Sequence, residues 1–121
     1  MMAYLSLTGP GVVRGPHEHA EQTDCFCFLG PSAFRICLWD TRPFSPTQGN
    51  CQSDLVEPDV PLRLIVPPGV VHAYQNVGTT PGLVFNAPNR LYRGPGKTGL
   101  VDEIRHEERP ESPFRLDNFP E

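Results

Sequence analysis

The segment Gly11-Val-Val-Arg-Gly-Pro-His-Glu-His19 carries an arginine and two histidines within nine residues. Successive side chains of a β-strand point to opposite faces, so an extended segment places His17 and His19 on the same side. Imidazole is the side chain whose unperturbed pKa lies nearest neutrality, and such a pair suits proton transfer or metal ligation. The segment therefore predicts a chemical site built on a strand.

A second stretch of similar character is Pro67-Pro-Gly-Val-Val-His-Ala-Tyr-Gln-Asn76. His72 and Tyr74 are two residues apart and share a face if this stretch is a strand. We expect the fold to bring His72 close to His17. We expect Tyr74 to point into the same interior.

Short apolar runs separated by turns fill most of the chain, which has 15 prolines and 11 glycines among its 121 residues. Such spacing indicates an all-β antiparallel barrel or jelly roll. The predicted strands are 3–7, 12–19, 24–29, 33–39, 62–66, 70–77 and 83–87. The run 24–29 is mostly apolar and predicts a strand buried on both faces, whereas 40–61 is expected to be loop. The length suits one domain, with an N-terminal arm (1–10), a barrel (11–93) and a C-terminal tail (94–121).

The composition excludes several classes of function. A net charge of −4 without a basic patch argues against nucleic acid as a partner. No apolar run is long enough to cross a membrane, and the N-terminus lacks the pattern of a signal peptide. The cysteines at 25, 27, 37 and 51 are expected to be free thiols in a reducing compartment, which predicts a cytoplasmic protein.

The two histidine stretches resemble the paired motifs of the cupin superfamily. The pattern consists of Gly11, His17 and His19, then Pro68, Gly69, His72 and Asn76. Three segments are similar to dTDP-4-dehydrorhamnose 3,5-epimerases: Val12-Val-Arg-Gly-Pro-His17, Asp40-Thr-Arg42 with Ser45-Pro-Thr-Gln-Gly49, and Ile65-Val-Pro-Pro-Gly-Val-Val-His-Ala-Tyr74. This resemblance implies a small cupin barrel, that is, a double-stranded β-helix with its site inside the mouth.

The resemblance also implies a reaction. In that family a histidine removes the proton beside a ketone on a nucleotide-linked sugar, and the carbon is then reprotonated from the opposite face. His17 corresponds to that base, and His72 to the second barrel histidine. Arg14 corresponds to the arginine that faces the pyrophosphate, and its guanidinium suits phosphate oxygens. Asp102 is the candidate for the aspartate that orients the base.

The family's lysine and tyrosine do not recur. Counting back from Gly30, the lysine position is Thr23, and counting on from His72, the tyrosine position is Phe85. Losing one donor to a developing enolate costs on the order of 10²–10³ in rate. We expect Thr23 and Phe85 to line the substrate pocket, while Tyr74 either serves as the general acid or fills the barrel. Tyr92 is a weaker candidate for the acid.

His19 leaves alternatives open. Metal-binding cupins use a His-x-His pair, an acid and a later histidine, and here a metal-dependent oxygenase or isomerase would hold Fe, Mn, Ni or Zn on His17, His19, Asp24 and His72. The Arg-Gly-x-His-x-His pattern also resembles 3,4-ketoisomerases. A third alternative is a cupin that binds a sugar or nucleotide without catalysis.

We expect the metal-independent sugar epimerase or isomerase, with no cofactor and with His19 contributing to substrate binding. Its substrate is expected to be a small molecule, namely a nucleotide-linked ketosugar. The protein is predicted to form a homodimer through exposed sheet edges.

Overall fold

Two antiparallel sheets make up the protein in the computed structural model, which describes residues 2–90 and 102–116. The strands are β1 Tyr4–Thr8, β2 Val13–Glu18, β3 Asp24–Gly30, β4 Phe34–Asp40, β5 Cys51–Val56, β6 Leu62–Val66, β7 Val70–Asn76, β8 Gly82–Asn86 and β9 Ile104–Arg105, and a 3₁₀ helix covers His106–Glu108. One sheet has the order β1-β8-β3-β6 and the other β5-β4-β7-β2-β9. The predicted all-β class is confirmed.

The core lies between the two sheets and follows from the alternation of each strand. Alternate residues of β3, β4 and β7 face the space between the sheets, and β4 and β7 are also covered on their outer face. The cluster contains Phe26, Phe28, Phe34, Ile36, Val56, Val66, Val70, Tyr74 and Val84. These side chains fill the closed part of the barrel and leave the polar site to the ends of β2, β3 and β7.

A second cluster covers the outer face of the five-stranded sheet. Trp39 and Val71 are buried there with Phe114 packed over them, and the Trp39 and Phe114 rings lie 5.7 Å apart. The C-terminal segment 102–116 therefore lies across the outside of this sheet. Trp39 belongs to this outer layer and not to the cluster between the sheets.

The strand predicted at 3–7 is confirmed as Tyr4–Thr8, which pairs with β8. Two other sequence predictions about the strands were wrong. Residues 51–56 form β5 although 40–61 was predicted as loop; β5 is an edge strand, mostly exposed, so no buried alternation marks it in the sequence. Strand β3 is buried on one face only, since Leu29 is 49% exposed.

All four cysteines are free, as predicted, with Cys25 and Cys27 half-buried side by side on the outer face of β3. Among the residues described, no helix has the length and apolarity that a membrane crossing requires.

Candidate active site

Two of the predicted histidines face each other across neighbouring strands. His17 of β2 and His72 of β7 are direct partners in the antiparallel register. Their ring centroids lie 6.5 Å apart, edge to face. The His19 ring, on the same side as that of His17, lies 5.8 Å from the His72 ring. The predicted convergence of the three imidazoles is confirmed.

A bulge in β2 sets this register. Arg14 pairs with Tyr74 and His17 with His72, so two residues of β2 stand opposite Ala73 alone. Arg14 and His17 therefore share a face although they are three residues apart. Gly15 in the bulge has φ +99°, and a Cβ there would meet the His72 carbonyl oxygen at 2.6 Å. Only glycine allows β2 to lie this close to His72.

The carboxylate of Asp24, 1% exposed, lies between two imidazoles. Its Oδ2 is 3.0 Å from His19 Nε2 and 3.4 Å from His72 Nε2. Its Oδ1 accepts hydrogen bonds from the amides of Gln22 at 2.7 Å and Asn86 at 3.2 Å. Burial alone would raise the pKa of Asp24, but the hydrogen bonds from His19 and His72 outweigh it and hold this pKa well below its usual range.

The outer nitrogens of both imidazoles face backbone carbonyls. His72 Nδ1 donates to the Val70 carbonyl at 3.1 Å, and His19 Nδ1 donates to the Asp102 carbonyl. A carbonyl only accepts, so Nδ1 carries the proton in each ring. For His19 burial lowers the pKa, yet its hydrogen bonds to Asp24 and to the Asp102 carbonyl outweigh burial and raise it. His19 is thus held as an imidazolium more readily than a free histidine.

The His17 ring has a carboxylate at each nitrogen. Nδ1 lies 3.2 Å from Glu103 and Nε2 lies 2.8 Å from Glu107. Burial lowers the pKa of His17 and outweighs the two carboxylates, which raise it. The neutral ring, the form that a proton-abstracting base requires, is therefore favoured in His17 and disfavoured in His19.

Asp102 does not orient His17, so that prediction was wrong. Its carboxylate accepts hydrogen bonds from three consecutive backbone N–H groups, those of Ala20, Glu21 and Gln22, at 2.8–2.9 Å. Burial raises the pKa of Asp102, but these backbone donors outweigh it and lower the pKa. Asp102 fastens the C-terminal segment to the end of β2, and its neighbour Glu103 reaches His17.

A second anchor holds the same segment. His106 Nε2 lies 3.0 Å from Glu18 Oε1, and the His106 ring packs against Phe114 at 4.7 Å. Glu18 points away from the site because it alternates with His17 and His19. The two anchors flank Glu103 and stand beside Glu107, which fixes both carboxylates relative to His17.

Tyr74 points into the barrel, as predicted from its spacing. Its ring packs against Phe26, Phe28 and Phe34 at 5.4–5.9 Å, deeper than His72. Burial raises the pKa of the phenol, which lies beside Thr8 of β1. The ring therefore fills the barrel, the second of the two roles predicted for it, and Tyr92 lies outside the described residues.

The remaining predicted residues lie away from the imidazoles. Phe85 pairs with Leu5 and Cys27 on the outer face of its sheet, so its prediction as a pocket residue was wrong. Thr23 is held through its backbone by Asn89, and within residues 2–90 and 102–116 no hydrogen bond joins it to a histidine. Arg14 is exposed, and its Nε donates a hydrogen bond to the Thr8 hydroxyl at 3.2 Å. Arg14 pairs with Tyr74, next to the pair that His17 forms with His72.

Four residues of the site were missed from the sequence: Gln22, Asn86, Glu103 and Glu107. The two glutamates belong to a charged stretch that resembles solvated surface, and nothing local links them to a histidine far along the chain. The side chain of Asn86 points inward because it shares a strand face with Val84, two residues earlier, which belongs to the core cluster. That alternation was the available signal, and it would have favoured Asn86 over Phe85.

A possible metal site uses fewer residues than predicted. The ligand atoms of His19, Asp24 and His72 lie within 4.8 Å of one another. His17 was predicted to complete this set, but its two nitrogens face Glu103 and Glu107 instead.

Comparison with known proteins finds similarity to proteins of glycan and polysaccharide biosynthesis. No family model matches it. It is 36% identical over 93 residues to the "Probable low-salt glycan biosynthesis epimerase Agl13" of Haloferax volcanii, covering 75% of this chain and 58% of that protein. It is 36% identical over 79 residues to the "Spore coat polysaccharide biosynthesis protein SpsL" of Bacillus subtilis, covering 65% and 52%. The chain thus spans somewhat more than half the length of these curated relatives.

Solved structures resemble it over most of its length. A dTDP sugar isomerase from Desulfovibrio desulfuricans matches with a TM-score of 0.76 at 24% identity, covering 98% of this chain and 73% of that one. A dTDP-4-dehydrorhamnose 3,5-epimerase from Bacillus anthracis matches with a TM-score of 0.69 at 18% identity, covering 87% and 58%. These likenesses confirm the predicted jelly-roll barrel, a fold that the chain shares with the solved dTDP sugar isomerase and 3,5-epimerase.

Replacing Asp102 tests how the C-terminal segment is anchored. Asp102→Asn replaces one of the two accepting carboxylate oxygens by an NH₂ group, which cannot accept from the backbone N–H groups. We expect the free energy of unfolding to fall by about 1–3 kcal/mol at pH 7. The fold lowers the pKa of Asp102 from 3.8. The carboxylate's contribution to the free energy of unfolding is therefore fully present above pH 3.8 and declines as the pH falls below that value. Urea unfolding of wild type and variant should therefore differ more at pH 7 than at pH 3.

The control is Asp54→Asn, because Asp54 is exposed and, within residues 2–90 and 102–116, its carboxylate accepts only from the Gln52 side chain. Its effect should stay within about 0.5 kcal/mol. An Asp102→Asn variant as stable as wild type at pH 7 would contradict the anchoring role.

Proposed function

We propose that the protein is a sugar epimerase in which His17 removes a proton from a carbon beside a ketone. The observation that carries the proposal is the pairing of His17 with His72 at the barrel mouth, with Glu103 on the outer nitrogen of His17. The similarity to the Haloferax protein, named a probable epimerase of glycan biosynthesis, supports the same reaction. The chain would then act in carbohydrate biosynthesis.

The geometry suggests how the proton moves. The Glu103 carboxylate, 3.2 Å from Nδ1 of His17, stabilises by its charge the imidazolium that forms when Nε2 takes the proton. Glu107 occupies the hydrogen-bonding position at Nε2, so the substrate has to displace it; its side chain is 34% exposed and has room to turn towards solvent. A base in such a setting contributes about 10²–10⁴ to the rate.

The negative charge of the enolate also needs stabilisation. Both ring nitrogens of His19 face groups that only accept hydrogen bonds: Nε2 faces the Asp24 carboxylate and Nδ1 the Asp102 carbonyl. Because both nitrogens then carry a proton, this arrangement keeps positive charge beside His72. Charge that is fixed before the reaction stabilises a developing oxyanion without reorganisation. Two imidazoles whose surroundings favour opposite protonation states therefore divide the work of base and electrostatic stabiliser.

We propose a nucleotide-linked ketosugar as the substrate. Arg14 is exposed, and only its Nε has a hydrogen-bond partner among the described residues. The rest of its guanidinium is available to phosphate oxygens. A solved relative of the same fold is described with TDP and pyrophosphate bound.

The proposal predicts exchange of substrate hydrogen with solvent. In D₂O, wild-type protein should incorporate deuterium beside the ketone of a dTDP-4-ketohexose, and His17→Gln should slow this by about 10²–10⁴-fold because the base is lost. Mass spectrometry of the sugar measures the rate. Arg63→Gln, on an exposed position of the other sheet, is the control and should exchange like wild type. Undiminished exchange in His17→Gln would refute the base.

A metal-dependent cupin is the second candidate, favoured by one observation. His19 Nε2, His72 Nε2 and Asp24 Oδ2 converge with separations of 3.0 and 3.4 Å to the carboxylate oxygen, close to the roughly 3.3 Å between ligands of a tetrahedral zinc ion. Both rings donate Nδ1–H to backbone carbonyls, as metal-bound histidines do. These residues fit a divalent metal, which would polarise the ketone oxygen.

Metal removal separates the two candidates. For the metal-independent epimerase we expect less than about 0.1 equivalent of metal in purified protein and unchanged deuterium exchange after dialysis against EDTA. The metal-dependent cupin would instead contain about one equivalent, lose it in Asp24→Asn, and lose exchange on chelation. Elemental analysis with the exchange assay measures both.

We also propose that two copies pair through the outer face of the four-stranded sheet. Leu5, Leu7 and Ile65 are 57–65% exposed on that face, whereas the C-terminal segment covers the corresponding face of the other sheet. An exposed apolar patch of this kind favours a symmetric contact between copies.

Sedimentation analysis should give twice the chain mass for wild type and a monomer for Leu7→Glu. Glu57→Gln, an exposed residue in the β5–β6 turn, should leave the mass unchanged.

The cysteines support a reducing compartment such as the cytoplasm. All four are free, and Cys51 is exposed. An exposed thiol persists where glutathione keeps cysteines reduced. Fractionation of the producing cells tests this assignment.

A further inference from the structure

We propose that Glu107 is the general acid that reprotonates the substrate carbon on the face opposite His17, and that the contact between these two side chains resets the protein after each turnover. The inference rests on the proposed function and assigns its second proton carrier. Inversion of a carbon requires one group that removes a proton and another that returns a proton to the opposite face. Tyr74 does not serve as this second group, because its ring packs among the phenylalanines of the core.

Glu107 is in direct contact with the nitrogen that acts as the base. Its Oε2 lies 2.8 Å from Nε2 of His17, and a hydrogen bond between these two atoms requires one proton. That proton lies either on Nε2, facing a carboxylate, or on Oε2, facing the lone pair of the ring. The second form contains both groups that the reaction needs, namely a ring nitrogen that can accept a proton and a carboxylic acid that can give one.

The two glutamates at His17 are held differently. Glu103 lies 3.2 Å from the other ring nitrogen and also accepts a hydrogen bond from Arg105 Nε at 3.1 Å. Among the described residues, the carboxyl group of Glu107 forms a hydrogen bond with His17 alone. Glu103 therefore supplies a fixed charge, whereas Glu107 has a single partner with which it can exchange a proton.

The axis of this contact also defines the position of the substrate carbon. A hydrogen bond to an imidazole nitrogen lies along its lone pair, and the C–H bond that His17 breaks has to point along the same line. Reacting atoms stand about 3–3.5 Å apart, so Nε2 and Oε2 have to separate from 2.8 Å to about 6–7 Å around the carbon. The Glu107 side chain is 34% exposed and can withdraw, while its backbone is fixed by the neighbouring His106, which binds Glu18 at 3.0 Å. After withdrawal along this axis, the carboxyl group faces the carbon from the opposite side.

Protons and electrons balance over one turnover. His17 Nε2 takes the proton, the C–H electron pair forms the carbon–carbon double bond of the enolate, and the ketone oxygen gains the negative charge. Glu107 gives its O–H proton to the same carbon on the other face, and the enolate electrons form the new C–H bond. His17 is then an imidazolium and Glu107 a carboxylate. When the product leaves, the side chains meet again and the proton passes from Nε2 to Oε2 across the 2.8 Å contact.

The fate of deuterium tests the acid. Wild type and variants are incubated with a dTDP-4-ketohexose in D₂O, and NMR of the sugar measures deuterium separately in the inverted product and in the recovered substrate. Glu107→Gln should slow inversion by about 10²–10⁴-fold, because the amide cannot act as the acid. Deuterium should still enter the recovered substrate within about tenfold of the wild-type exchange rate, since His17 remains and returns a solvent-derived proton to the face from which it took one.

Glu108→Gln is the matched control, because it makes the same substitution at the next residue of the 3₁₀ helix. In the part of the chain that the structure describes, no hydrogen bond or ion pair joins Glu108 to His17. This variant should invert and exchange like the wild type. Glu107→Asp keeps a carboxylic acid on a shorter chain and should invert at least about tenfold faster than Glu107→Gln.

Inversion by Glu107→Gln at the wild-type rate would overturn the assignment. An equal loss of inversion and exchange would overturn it as well, because Glu107 would then be a positioning residue for His17. Both results leave the epimerase standing, since the wild type still exchanges and inverts. A wild type that does not exchange would reject the proposed function together with this assignment, and a wild type that exchanges without inverting would retain the base but reject the epimerase and its acid.

Discussion

The buried carboxylate of Asp24 is the constraint on which the site depends. A charge that is 1% exposed is tolerated only when donors replace the water it has lost. Four donors do so: His19, His72, Gln22 and Asn86. They come from β7, β8 and the turn after β2, so satisfying one carboxylate fixes both sheets around the mouth. The rings of His19 and His72 take their orientation from the same requirement.

The barrel alone does not complete the site. His17 acquires its two carboxylates from the C-terminal segment, which Asp102 and His106 fasten to β2 from opposite faces. The segment also covers the apolar outer face of the five-stranded sheet through Phe114. Its packing and its chemistry are therefore coupled, because the contacts that shield the sheet also deliver Glu103 to the proposed base.

The three imidazoles differ in their surroundings although the His17 and His19 rings lie 6.5 and 5.8 Å from the His72 ring. At His17 burial outweighs the two carboxylates and lowers the pKa, which favours the neutral ring. At His19 burial also lowers the pKa, but the hydrogen bonds to Asp24 and to the Asp102 carbonyl outweigh it and favour the charged ring. One strand segment, with a single residue between its two histidines, thus offers a base and a cation at the same mouth. Opposed environments of this kind are how enzymes run acid and base chemistry at one pH.

What the sequence determined by itself was local. Spacing within a strand fixed that His17 and His19 share a face and that Tyr74 follows His72 inward. Tertiary structure decided what depends on pairing between distant strands. Register turned Phe85 outward and Asn86 inward, pairing with β4 made a strand of 51–56, and folding back of the C-terminal segment gave His17 its glutamates in place of Asp102. The physical reason is that side-chain alternation is a property of one strand, whereas register and burial are fixed only when the strands pack.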